Sequence, residues 1–319
     1  MSATSLSSRP GSRVSGLNWT VLRLHRLALW LWVAYVAVTS AVLLWLAGPG
    51  TSGLGIKGTC STLVANACTA KGPTADTYHS LLSLTEASIG FVPFAAALFA
   101  ASTLIGRELE AGTAHLAWSQ SVSPARWLAA KLTYPAAFLV AGTTVLVLLR
   151  RLVASGAPGL TDNQWPVNST TYNTLGTVGI ALPLLGLAIG ALCAFLQKRM
   201  IPAMGLSFFA LLLASVVVGF SRPYLWPVKT IVNPVEYPAV GGDVIDIGAV
   251  TAGGAHIDDP ICTDDKACLA AHKVVGYYVD YHPNTHFWPL QLVETGLVLA
   301  LTALVTAIAF RILKRRAAR

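Results

Sequence analysis

One short stretch, "IGRELEAGTAHLAWSQSVSPARWLAAKL" (Ile105–Leu132), concentrates the polar and helix-breaking residues of this chain: Arg107, Glu108, Glu110, His115, Arg126 and Lys131. Only 11% of the residues in the whole sequence are charged, so the density is out of place. These residue types suit capping and docking, not covalent chemistry. Gly112 has the conformational freedom to end a helix in the left-handed region. Thr113 is suited to cap a new helix over Ala114 to about Gln120. Ser123 repeats the signal, with Pro124 at the first helical position, where its missing N–H costs least. The pattern predicts helix, break, two-turn helix, break, helix. Leu116 and Trp118 are the large apolar side chains of the short helix, and a helix that short is marginal unless something packs on it. It therefore reads either as a docking surface or as a belt of interfacial aromatics, Trp118 and Trp127, beside basic residues.

The remaining chemistry-bearing residues are scattered. Glu86 and Glu294 fall near the starts of two apolar runs, where a gating or substrate role competes with simple attraction to a helix N-terminus. Arg150 and Arg151 close a third run. They are expected to snorkel to the interface, with pairing to a glutamate or to anionic headgroups as the alternatives. His282 and His286 have i, i+4 spacing, but a third ligand is not evident and Pro283 disfavours a helix there, so no metal is expected. The pattern G-x-x-x-x-G-K-[ST] is absent: "GLGIKGTC" from Gly53 has glycines without the Lys-Ser/Thr step. No nucleophile, base or metal-ligand set stands inside the apolar runs, which weighs against a membrane enzyme.

These residues must be positioned by membrane helices. The chain has 319 residues, of which 54% are hydrophobic. Six runs, Leu27–Ala47, Ala87–Gly106, Leu132–Leu149, Tyr172–Leu196, Met200–Ser221 and Thr295–Phe310, contain no Asp, Glu, Lys, Arg or His. A bilayer crossing takes roughly 20 such residues, and six spans are expected. The first run is too long for a signal-peptide core. With both termini cytoplasmic, the inner segments hold fourteen basic residues and two acids, and the outer segments eight and twelve. That asymmetry follows the positive-inside rule. The net charge of +8 is then a topology signal and no argument for nucleic acid. Residues 1–26 are cytoplasmic in this scheme. Leu17, Val21 and Leu24 oppose Arg23 and Arg26 there, as in an interfacial amphipathic helix or the first turns of the first span.

Cysteine placement agrees. Cys60 and Cys68 fall in the first outer loop (48–80), and Cys262 and Cys268 in the last (222–288), with Cys193 alone in the fourth run. Two local disulfides, Cys60–Cys68 and Cys262–Cys268, are expected in an oxidising compartment. In the last loop, "DDKACLAAHKVVGYYVDYH" reads as a helix on the outer membrane surface. "GLAIG" (Gly186–Gly190) permits close helix approach in the fourth span.

The stretch "RELEAGTAHLAWSQSVSPARWLAAKL" resembles actinobacterial ABC-2 type permeases, the membrane subunits of ATP-binding-cassette exporters. The matching residues are Glu108, Glu110, Gly112, Thr113, Leu116, Ala117, Trp118, Gln120, Ser121, Arg126, Trp127, Leu128 and Lys131. "YHPNTHFWPLQLVETG" (Tyr281–Gly296) is similar to that family's aromatic-Pro entry into the last helix. The resemblance implies an all-α integral membrane fold with six transmembrane helices. It also implies that the short helix between spans two and three couples to a separate ATPase subunit, which carries ATP and Mg. It further implies a second permease subunit, a bacterial cytoplasmic membrane and an amphipathic cargo such as a drug, lipid or peptide. A stand-alone carrier or immunity-type binding protein is the alternative. No cofactor is expected in this chain itself.

Overall fold

The computed structural model describes residues 23, 25–52, 54–57, 69–71, 74–119, 123–156, 169–197, 199–262 and 265–317. Among the described residues, six helices are long and apolar enough to cross a membrane. The first, α1 (Arg26–Ala47), ends at Gly48, whose amide closes on Leu44 and Trp45 carbonyls. A short antiparallel pair follows, β1 (Gly55–Lys57) with β2 (Thr69–Lys71). Cys60, Cys68 and the residues Leu17, Val21, Leu24 and Gln120 lie outside the described residues.

The second span starts earlier than its uncharged core. It comprises α2 (Ala75–Phe99), a π-helical turn over Ala100–Leu104, and the short α3 (Gly106–Glu110). Gly106 is required at the exit of that turn, since a Cβ there would lie 2.0 Å from the Ala101 carbonyl oxygen. Next come α4 (Thr113–Ser119) and α5 (Pro124–Gly156), the third span. A separate short helix, α6 (Ser169–Leu175), takes the first residues assigned above to span four. Span four proper is α7 (Val178–Gln197), and span five is α8 (Met200–Ser221).

Between spans five and six the chain builds a sheet that the sequence reading did not anticipate. Strands β3 (Lys229–Asn233), β4 (Gly242–Thr251), β5 (His256–Ile257) and β6 (Val274–Pro283) form one antiparallel sheet in the order β3-β6-β4-β5. The expected surface helix survives only as α9 (Lys266–Ala271), capped by the Asp265 side chain on Ala267 N–H. The rest, "VVGYYVDYHP", is β6, at the centre of the sheet. The physical reason is composition: β-branched and aromatic residues crowd the segment, and they favour a pleated surface over a helix. Cys262 and Cys268 are disulfide-bonded, as expected. Span six, α10 (Phe287–Ala317), follows directly.

Helix α7 is the axis of the bundle. It packs against α2, α5, α8 and α10 and is the most buried of the six spans, whereas α1 is the least buried. Two glycines permit this. A Cβ at Gly186 would stand 2.1 Å from the Pro93 carbonyl oxygen, and one at Gly190 would stand 2.1 Å from that of Ala97. The GLAIG segment therefore brings the α2 and α7 backbones together, as small residues do in membranes. Helices α1, α8 and α10 keep large apolar side chains such as Leu31, Phe209 and Leu297 on the outside, which is the arrangement lipid favours.

Candidate functional site

The predicted helix-break-helix knot forms. Gly112 adopts a left-handed φ of 71°, ending α3, and α4 starts at Thr113. The Thr113 hydroxyl donates to the Glu108 carbonyl at 3.4 Å. Ser123 caps α5, accepting from Arg126 N–H at 3.4 Å through its hydroxyl and from Trp127 N–H at 3.0 Å through its carbonyl.

Lys131 fastens this knot to the irregular turn of span two. Its ammonium donates to the Leu104 carbonyl at 2.7 Å and to Glu108 Oε1 at 2.7 Å. It is 3% exposed and also sits 5.1 Å from the centre of the Trp127 ring. The π-turn frees a carbonyl from regular helical pairing, and π-turns often mark functional positions. A buried ammonium needs both a charge partner and such an acceptor. Glu110 meanwhile accepts from Met200 N–H at 3.0 Å, capping the start of span five. Both glutamates thus have partners within this chain, a use that the sequence did not reveal.

The apolar residues divide. Ala114 is fully buried, and Trp118 is half-buried with its ring edge-on to Trp127 at 5.7 Å. Leu116 is 62% exposed, and Arg107 and Arg126, on the helices before and after α4, are exposed as well. Beneath Ala114 and Trp118 lies a core cluster of Leu104, Leu128, Phe195 and Leu313, drawn from spans two, three, four and six. A short helix resting on this cluster is mechanically connected to most of the bundle.

A second polar assembly lies toward the opposite end of the spans. Glu86 sits eleven residues inside α2, and Glu294 lies in the third turn of α10. Neither belongs to a helix N-terminus, which corrects the expectation above. Both are buried and ion-paired. Arg150 donates to Glu86 Oε1 through Nη2 at 2.7 Å and Nε at 3.0 Å. Arg222 donates to both Glu294 oxygens, at 2.8 and 2.9 Å. The expected snorkelling of Arg150 is therefore overturned: it is fully buried, because an acid from the neighbouring helix neutralises it. Arg151 donates to the Leu175 carbonyl at 3.0 Å and stacks 4.4 Å over Trp288.

Helix α6 joins the two pairs. Thr171 donates to Glu86 Oε2 at 3.1 Å, Asn173 accepts from Arg222 Nη2 at 2.9 Å, and the Tyr172 ring lies 3.9 Å under the Arg222 guanidinium. Gln291 then donates to the Tyr172 carbonyl at 2.9 Å and accepts from Val178 N–H at 3.0 Å. Sequence reasoning missed Arg222, Thr171, Asn173 and Gln291. The signal was available in the polar amides placed beside apolar spans, which are costly there unless satisfied. Where the sheet begins, Asp243 is 5% exposed, and burial raises its pKa to about 6, partly offset by Arg222.

His282 and His286 do not lie on one helix. Their Nδ1 atoms are 3.1 Å apart, and His282 Nε2 is 3.0 Å from the Pro223 carbonyl. Among the described residues Cys262, Cys268 and His272 bring potential ligand atoms within 4.8 Å of one another, but both sulfurs are committed to the disulfide.

Comparison with known proteins adds one result. A sequence model described as ABC-2 membrane transporter related matches residues 33–222, from within α1 to the end of α8, and thus covers the knot and the first ion pair. No curated protein and no solved structure matches at a significant level. With more than half of its length matched and six membrane-crossing helices in its fold, the chain belongs to the ABC-2 membrane transporter related family.

Proposed function

We propose that this chain is the permease subunit of an ABC exporter, driven by ATP hydrolysis in a separate subunit. In this reading a second permease copy or homologue completes the membrane part, and ATP and Mg reside on the partner ATPases. Both termini and residues 107–131 face the cytoplasm, and the sheet of residues 229–283 faces outward from a bacterial cytoplasmic membrane. Cys60 and Cys68 form a second disulfide on that outer side. The cargo is an amphipathic drug, lipid or peptide moving outward.

The observation that carries the reading is the placement of α4. It is a two-turn helix with exposed Leu116 at one end of the bundle, and its inner side rests on residues from four spans. A partner pressing on α4 pushes through Lys131 and Glu108 on the π-turn of span two, and through Glu110 on the start of span five. Rigid elements seated on one packed core are how local motion becomes a switch of access. The exposed Leu116 and Arg126, with Glu110 and Gln120, supply the docking chemistry. The test is affinity capture of the intact complex from native membranes, followed by ATPase assays against a panel of lipids and drugs. Recovery of an ATPase subunit whose turnover responds to a panel member is the expected result. A chain that transports with no ATPase bound overturns the proposal. Labelling of single cysteines in intact cells tests the orientation: a probe at Ala114 that reacts from outside defeats it.

A further inference from the structure

A cavity of about 430 Å³ opens between α1, α2 and α5, lined by none of the residues of the two outer ion pairs. Its wall is almost wholly apolar. At one end the Tyr35 hydroxyl and Ser88 Oγ bond to each other at 3.3 Å, and nearby Trp32 Nε1 donates to the Phe138 carbonyl at 3.0 Å. Those polar atoms are therefore already satisfied. The other end is different. His25 packs edge-on against Phe99 at 5.6 Å, and its Nε2 is buried with no hydrogen-bond partner among the described residues. A buried, unsatisfied nitrogen of this kind costs free energy that a ligand atom recovers. Burial, and secondarily Lys131, lowers the His25 pKa against an opposing effect of Glu108, so the ring is neutral and retains both a donor and an acceptor. Tyr134, on α5 one turn before Phe138, also lines the cavity.

The dimensions indicate the class of ligand. His25, immediately before α1, and Tyr35 within it are ten positions apart, about 15 Å at the standard helical rise. That is roughly one leaflet of a hydrocarbon core about 30 Å thick. The volume falls within the range of ordinary ligand sites. The wall is apolar between its two ends, the unsatisfied nitrogen is at one of them, and lipid is the surrounding medium of these helices.

We propose that this cavity binds the acyl chain of a membrane amphiphile, with its polar head at His25 and its tail running toward the Tyr35–Ser88 pair. Free fatty acids and bilayer phospholipids share that chemistry. Binding here requires neither ATP nor a partner subunit, so the site stands or falls separately from ATP-driven export.

The test uses the full chain in lipid nanodiscs, without nucleotide, and photo-crosslinking with two probes: a fatty acid and a phosphatidylcholine, each carrying a diazirine in its tail. Adducts are expected to concentrate on the segments holding Trp32, Phe91 and Phe138, and unlabelled probe should compete them away. Labelling by the fatty acid alone identifies a single-chain ligand, and labelling by both identifies bilayer lipid; either supports the site. Ala28→Trp and Ala95→Trp fill the cavity from opposite helices and should abolish the labelling. His25→Ala should weaken competition by about threefold to tenfold, the loss of one hydrogen bond. Adducts spread evenly over the outer faces of α1, α8 and α10, unmoved by competitor in the unsubstituted chain, overturn the proposal even if the tryptophan variants fail to fold.

Discussion

Arg150 of α5 places two N–H donors on a single oxygen of Glu86 in α2, at 2.7 and 3.0 Å, with the guanidinium fully buried. The second glutamate oxygen is taken by Thr171 of α6. The carboxylate therefore ties three helices at one point, and both charges are buried. Removing one partner leaves the other charge buried and unpaired, a loss of about 3–5 kcal/mol. Arg150→Met and Glu86→Leu should each lower the thermal midpoint of the detergent-solubilised protein sharply. The double variant should recover much of the loss, because two apolar side chains leave no orphan charge. A double variant as unstable as the sum of the singles would show that the pair does more than neutralise itself.

Close approach of α2 and α7 rests on glycine. Gly190→Ala forces a methyl to within 2.1 Å of the Ala97 carbonyl oxygen, backbone that cannot move aside cheaply. Overpacking of this kind typically costs 1–3 kcal/mol. Gly205 of α8 is the control, since a Cβ there meets nothing within 4 Å. Gly190→Ala should lower the unfolding midpoint, while Gly205→Ala should leave it unchanged or raise it through helix propensity. Equal effects at both positions would mean that α2 and α7 do not meet as described.

The two assemblies explain what the sequence makes legible. A membrane crossing is a compositional requirement, so six apolar runs predict six helices without any knowledge of packing. Capping is also local, and Gly112, Thr113 and Ser123 announce the breaks around α4 within a few residues. The ion pairs are a different kind of fact. Glu86 and Arg150 are 64 residues apart, and Arg222 and Glu294 are 72, so nothing local couples them. Charges near run ends read as interfacial until the helices prove to begin earlier, at Ala75 and Phe287. The β6 error has a local cause: Val274 to Tyr281 is apolar enough to pass as a surface helix, although its β-branched and aromatic content already favoured a strand.

Asp243 gives a pH signature. Its pKa of about 6 in the folded chain lies above the ordinary value of 3.8, chiefly because burial disfavours the charged form. The folded protein thus holds a proton between pH 4 and pH 6 that the unfolded chain has released. Stability from this group therefore rises as pH falls through 6 and levels off below about 4. Relative to the unsubstituted chain, Asp243→Asn should be the more stable at pH 7.5, and the gap should shrink by pH 5. Unfolding midpoints of both proteins across that interval provide the check; a gap that stays constant would place Asp243 in contact with water.

On α4 the two large apolar side chains have different surroundings. Leu116 is 62% exposed, while Trp118 leans on Trp127 over the buried core. If α4 docks on an ATPase, Leu116 contributes to the partner and little to folding. Leu116→Asp should leave insertion and the unfolding midpoint within the small range of surface changes, about 0.5 kcal/mol. Its capture of the ATPase should fall roughly tenfold or more, as for a moderate interface hot spot. Trp118→Ala should lower both quantities, because it removes the edge contact with Trp127 as well as any contact with the partner. Glu110→Lys breaks the cap on Met200, a change worth about 1 kcal/mol, and also reverses a charge beside the docking face. It should therefore uncouple hydrolysis from transport at modest cost in stability. Normal ATPase capture and transport by a well-folded Leu116→Asp protein would mean that α4 only anchors the turn between spans two and three.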